Sequence, residues 1–361
     1  MNVIKEIVLE PADLAQFIAL QPAAVDTVSG RFYAEMSSFY LRFGNQGRQS
    51  CSEDIQFTLD FLRPVLEFGF LQPFVDYLRW LCSILAARNI PAEHVVTSID
   101  WIGDYYGAHL SESGSGKFLS AVRAAKDGLQ GASALNAVSE IDKNMPTAWP
   151  ECKAFMQALL QGNRRTAGEL FMARIQSGAS FVDVELHLVQ PALYQVGRDW
   201  QDNKVTVAQE HLATATAVTL MAQAFPGTAE LAASARKAVF ACVQGNEHEV
   251  GLRIVADAFE REGWNVRFLG ANTPSLALVD LAKSWEPDLV GLSVSFPHQF
   301  KTVKELIAQL RAALGNSCPA VMVGGLAFNG LPSAAPIVAA DAYSPDARAA
   351  IGQANHLMGL P

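Results

Sequence analysis

The sequence predicts a chain of the α plus α/β class: a helical amino-terminal domain, a four-helix bundle, and a doubly wound parallel sheet at the carboxy end. Three observations predict it. Apolar residues recur at helical spacing up to about residue 227. From about residue 236 the period changes, and short continuous apolar runs alternate with amphipathic stretches. Ser, Gly, Pro and Asn punctuation divides the helical part in two. The resulting domains are 1–145, 146–232 and 233–361.

In the first domain, Ser50-Cys51-Ser52-Glu53 has the form of a capping box and opens the periodic run Ile55, Leu59, Leu62, Leu66. Pro73 sits near the start of the next helix and Pro91 starts another. The stretch Ser111–Gly116 is rich in Ser and Gly and reads as a turn or linker, followed by a helix from about Lys117 to Leu129. In the second domain, three long periodic stretches broken by Pro150, Gly178 and Asn203 suit four short packed helices.

The third domain has apolar β-type runs at 237–243, 265–270, 288–294 and 320–325, with 336–343 as the fifth strand. Strand–helix–strand units of this length give a flavodoxin-like doubly wound sheet. Such sheets bind ligands outside the carboxyl ends of their strands. That rule selects Asn246, Glu247, His248 and Gly251 after the first strand, Ser293 and Ser295 on and after the third, and Gly324-Gly325 after the fourth.

Composition narrows the function classes. Half of the 361 residues are hydrophobic and 17% are charged, which supports packed cores and not a disordered chain. The net charge is −9 with no Lys/Arg cluster, a poor match to nucleic-acid binding. The five cysteines are far apart with no CxxC pair, so neither a disulfide framework nor a zinc site is expected, and reduced cytoplasmic thiols are the simple reading. No run approaches the roughly 20 apolar residues of a membrane span, and the amino-terminal run does not resemble a signal peptide.

The segment Asn246-x-His248-x-x-Gly251, with Ser293 and Gly324-Gly325 in order behind it, resembles the cobalamin-binding domain of methionine synthases, mutases and B12-dependent light regulators. The resemblance implies that His248 ligates cobalt in place of the cofactor's own nucleotide base, and that the displaced tail threads into the sheet. A neutral imidazole is a suitable cobalt ligand. Gly251 would then allow close approach of the tail, Gly324-Gly325 a flat slot for its base, and Ser293 a hydrogen bond. The family has a carboxylate where this chain has Asn246, which predicts a weaker or more exchangeable cobalt–nitrogen bond.

A second motif lies in the bundle. Trp200 is followed after nine residues by Glu210-His211. Beside a cobalamin domain this is similar to the helical cap of the light-sensing, adenosylcobalamin-binding repressors of the carotenoid-synthesis type. There the tryptophan covers the adenosyl group, and the Glu-His pair hydrogen-bonds to the nucleoside. Those repressors carry a histidine directly after the tryptophan; here the position is Gln201.

The amino-terminal domain is dense in aromatics and arginines, including Arg31, Phe32, Tyr33, Phe39, Tyr40, Arg42, Phe43, Arg79, Trp80 and Trp101. Either a dimerisation module with an aromatic core or a bilin pocket fits that texture. Its domain order resembles the photocobilins, which hold B12 and a biliverdin-type bilin; Cys51 and His94 are the possible chromophore contacts. The expected function is a cytoplasmic, dimeric, B12-dependent light-responsive regulator that is not an enzyme and signals to a protein partner or by self-association. The alternatives are a corrinoid carrier for methyl transfer and a B12- or redox-sensing antirepressor without photochemistry.

Overall fold

The computed structural model describes residues 4–130, 146–227 and 235–359. The chain forms two compact units, Met1–Ala137 and Val138–Pro361. The domain boundaries expected near 145 and 232 fall outside the described residues.

The first unit is helical: α1 (Pro11–Glu35), α2 (Ser37–Tyr40), α3 (Gly44–Phe68), α4 (Leu71–Ala86), α5 (Glu93–His109) and α6 (Glu112–Gln130). Two expectations fail here. The Ser50–Glu53 stretch starts no helix, because α3 already runs from Gly44. Ser52 Oγ bonds back to the Arg48 carbonyl, and Glu53 accepts from Gln49 one turn earlier. The Ser/Gly stretch is likewise no linker; α6 begins at Glu112, with Ser111 Oγ accepting from the Gly114 amide. Gly114 is there because Asp13 presses on it: an added Cβ would lie 2.5 Å from the Asp13 carboxyl carbon. The core is aromatic, with Phe17, Phe74, Tyr106 and Phe118 fully buried and the Tyr106 hydroxyl donating to the Phe17 carbonyl.

The second unit opens with α7 (Cys152–Leu160), α8 (Arg164–Gln176) and α9 (Phe181–Val184). A π-helical segment (Glu185–Val189) continues it into α10 (Gln190–Gln201), and α11 (Val207–Ala224) follows. These helices make the expected bundle. Next come β1 (Lys237–Val243), α12 (Val250–Arg261), β2 (Asn265–Thr273), α13 (Ser275–Trp285), β3 (Leu289–Ser293), α14 (Phe300–Leu314), β4 (Ala320–Gly324), α15 (Leu326–Gly330), β5 (Ala342–Tyr343) and α16 (Ala347–Leu357).

All described strand pairs are parallel, in the order β2-β1-β3-β4-β5. β3 is buried at every position and β1 at all but its first residue, as continuous apolar strands between two helix layers must be. The order reverses between β1 and β3, so the crevice of this sheet lies at their carboxyl ends. The fifth strand is shorter than expected. Pro336 has no amide to donate, residues before 342 turn, and Ala339 is left-handed at φ 65°. Val338 still fills the core.

Bundle and sheet share one core within this unit: Ile254, Ala258 and Ala347 pack with Phe155, Phe171, Phe181 and Leu188. The bundle is therefore seated on α12 and α16.

Candidate functional site

The crevice is made by register. Cys242 of β1 stands beside Ser293 of β3, and Ser293 beside Gly324 of β4, so three of the selected segments leave the sheet together. The loop after β1 is held from every side. Gly245, at φ 84°, donates its amide to Asn272 Oδ1 at 2.8 Å, and its carbonyl accepts from Gln299 Nε2 at 2.8 Å. The Asn272 amide returns a bond to the Asn246 carbonyl at 2.9 Å.

Asn246 is wholly buried. Its Nδ2 donates to the Ser293 carbonyl at 3.0 Å, and its Oδ1 accepts from the His248 amide at 3.1 Å. The Cys242 thiol donates to the His248 carbonyl at 3.6 Å, and Glu249 Oε2 accepts from the Ala271 amide at 2.9 Å. These bonds fix the loop through its backbone, His248 included. The Asn246 amide group thus bonds main-chain partners on both sides. An asparagine suits the place because its amide both donates to Ser293 and accepts from His248, which an ionised carboxylate cannot do.

Sequence reasoning missed Gln299 and Asn272. Gln299 is buried, and its Oε1 accepts from the Ser295 and Phe296 amides. A glutamine soon after Pro297 at a helix start was the available signal. Asn272 is left-handed at φ 48°, a conformation that asparagine tolerates.

The His248 ring lies on the open side of the loop, edge-on to Phe296 at 5.2 Å, and Phe296 stacks on His298 at 5.5 Å. Desolvation lowers the imidazole pKa below its ordinary value, against the Glu210 and Glu247 carboxylates, which raise it. Gly251 faces open space, since nothing lies within 4 Å of an added Cβ. Gly324 and Gly325 meet the chain itself: added Cβ atoms would come within 2.9 Å of the Ser344 carbonyl and 2.5 Å of the Val294 carbonyl. Gly325 also has φ 94°. Ser293 and Ser295 are buried behind this edge.

The bundle brings the other wall. Thr206 caps α11 in a reciprocal box with Gln209, which sets Glu210 and His211 in the first turn. Glu210 accepts from Thr214 at 3.0 Å and holds His211 Nδ1 with its other oxygen. The Glu210 carboxylate is among the charges that raise the His248 pKa against its burial. Trp200 is half-buried at the end of α10, where its carbonyl accepts from Asn203 across the turn to α11.

Among the described residues no group of three or more His, Cys, Asp or Glu could hold a bare metal ion. A metal already carried in a macrocycle asks less of a protein, namely one axial base, and His248 has an imidazole that could supply one. Family comparison decides the class: residues 236–351 match the family described as "B12 binding domain", and residues 151–224 match a second family with the same description.

The second unit is a B12-binding module.

Its two matched segments coincide with the sheet and with the bundle. Over 201 residues the chain is 28% identical to "HTH-type transcriptional repressor CarA" of Myxococcus xanthus, covering 55% of this chain and 67% of that protein. Over 144 residues it is 34% identical to "HTH-type transcriptional repressor CarH" of the same organism, covering 39% and 46%. The chain thus spans about two thirds of one curated relative and about half of the other. The B12-binding module also has the fold of the monomethylamine corrinoid protein of Methanosarcina barkeri. That match has TM-score 0.50 and 18% identity, over 56% of this chain and 96% of that one. No described helix is long and apolar enough to cross a membrane.

Proposed function

We propose that the chain is a B12-dependent light-responsive regulator that binds adenosylcobalamin between bundle and sheet, with His248 as the lower cobalt ligand. What supports this reading is the His248 loop at the carboxyl edge of β1 in the same unit as the Trp200…Glu210-His211 motif, with both segments matching B12-binding domains. In this reading the Trp200…Glu210-His211 motif lies over the crevice that the histidine loop borders. When bound, adenosylcobalamin supplies a cobalt–carbon bond that light breaks.

The chain's own residues have distinct tasks. His248 offers a lone pair from a loop that needs no rearrangement. Glu247, Ser293, Ser295 and the Gly324-Gly325 edge line the path for the nucleotide tail, and Gly251 leaves it room. Trp200 shields the upper face from water. Glu210, by fixing His211 Nδ1, leaves Nε2 free to bond a nucleoside hydroxyl. Nothing in these roles calls for turnover, so the protein is a sensor and not a catalyst. We place it in the cytoplasm, acting through a protein partner or a dimer and not by direct DNA contact.

For the first unit the same reading gives dimerisation or a bilin such as biliverdin. What supports a chromophore is a peripheral cluster in which Tyr40 bonds His94 Nδ1 at 2.9 Å, Phe39 packs on His94, and Arg42 stacks on Phe39 at 4.0 Å. Other arginines of the expected set are spent internally, Arg31 on Glu35 and Asp104, Arg79 on the Gly128 carbonyl. Cys51 is a poor attachment point: burial, then Asp54, push its thiol up to about 12.

The second reading, a corrinoid carrier, is favoured by the fold shared with the monomethylamine protein and by 27% identity over 116 residues to a dimethylamine corrinoid protein of Methanosarcina acetivorans. Titration of the purified chain with hydroxocobalamin tests the site common to both. Wild type should bind with a shift of the cobalamin bands, and His248→Ala should weaken binding about tenfold or more, roughly 1.4 kcal/mol, with the shift lost. Equal spectra for the two proteins would show that another base is bound.

A further inference from the structure

Bundle and sheet meet over a buried acid. Glu185, in the π-helical segment, has no exposed surface, and neither of its carboxyl oxygens has a hydrogen-bond partner among the described residues. What faces it is a second acid, Asp257 of α12, also buried. Two ionised carboxylates stripped of water cannot share that space cheaply, whereas one proton turns the repulsion into a hydrogen bond.

The surrounding charges do not neutralise both. Arg253 and Arg261 of α12 act on both acids, and the Arg261 guanidinium is also bonded to the Phe225 carbonyl and stacked on its ring at 3.6 Å. On its own helix, Asp183 is engaged by Arg348 of α16 and faces His187. From α7, the Cys152 thiol donates to the Leu188 carbonyl. Burial and Asp257 together drive Glu185 far above the ordinary carboxyl range.

We propose that Glu185 is protonated in the closed unit, donates that proton to the Asp257 carboxylate, and gives it up to solvent when the bundle lifts from α12. The Glu185 O–H bond breaks, water or buffer takes the proton, and both carboxylates become hydrated. α12 starts two residues after His248, so the proton pins the bundle to the helix that leaves the ligand loop. Glu185 is thus a positioning residue, and opening the unit costs one proton per chain. The protonated pair stands without the light-sensing reading; only the release step rests on it.

Infrared spectroscopy of the ligand-free chain at neutral pH tests the pair. The wild type should show the carbonyl stretch of a buried protonated carboxyl. Glu185→Gln should lose it, and Asp257→Asn should shift it, because the acceptor changes from a carboxylate to an amide oxygen. Absence of the band in wild type, or its survival in Glu185→Gln, overturns the assignment; an unshifted band in Asp257→Asn overturns Asp257 as acceptor. For the release step, chain loaded with adenosylcobalamin is illuminated in a weakly buffered indicator dye. About one proton per chain should appear with wild type, and none with Glu185→Gln. A spectral change with no wild-type release overturns the release step, while no spectral change at all counts against the light reading and leaves the infrared result standing.

Discussion

Asn246 and His248 are joined through the main chain: Asn246 Oδ1 accepts from the His248 amide at 3.1 Å while its Nδ2 donates to the Ser293 carbonyl at 3.0 Å. The residue that departs from the family motif is therefore a tie between the ligand loop and β3. Restoring the family's carboxylate should do harm. Asn246→Asp sets an acceptor against the Ser293 carbonyl and should cost about 1–3 kcal/mol of stability. Chemical unfolding would measure it, and an aspartate variant as stable as wild type would refute the tie.

Gly325 makes a comparable prediction for the other side of the crevice. An added Cβ would sit 2.5 Å from the Val294 carbonyl at a φ of 94°. Gly325→Ala should destabilise the unit by about 2–4 kcal/mol, combining overpacking with a left-handed alanine. Gly251→Ala, into open space, should leave unfolding unchanged and weaken only cobalamin binding. Thermal melts of the two variants without ligand separate these outcomes.

The buried acid gives a pH dependence with a definite sign. Glu185 is raised well above its ordinary 4.5, so over the window above that value the folded chain keeps a proton that the unfolded chain has lost. Stability must fall as pH rises through that window. The wild-type melting temperature should drop from about pH 5 to about pH 8, and Glu185→Gln should flatten that drop. Parallel profiles for the two proteins would remove the effect from Glu185.

Gln201 predicts a change of upper-face chemistry. With no histidine after Trp200, position 201 offers no imidazole to the cobalt, and another histidine or water would have to serve. Gln201→His should give an illuminated spectrum shifted from that of wild type, with the dark spectrum unaltered. Identical illuminated spectra would mean that position 201 does not reach the cobalt.

The sheet was legible because buried parallel strands are continuously apolar, which is how β1, β3 and β4 stand out. Elements shaped by distant contacts were not. The start of α6 reads as a turn because its Gly114 is selected by Asp13, far away in the chain. His248 and Asn246 were visible in a short motif, but their anchors were not: Asn272 and Gln299 lie 27 and 54 residues from Gly245. The Glu185–Asp257 pair needs the bundle seated on α12 before it exists at all.

The central claim is that light acts on adenosylcobalamin held in the crevice with His248 as lower ligand. Its most direct test is the absorption spectrum of the chain loaded with adenosylcobalamin in the dark, recorded before and after green light. The account predicts a spectral change in wild type, with the cobalamin retained, and loss of the imidazole-ligated bands in His248→Ala. A loaded wild-type spectrum that green light leaves unchanged would contradict it.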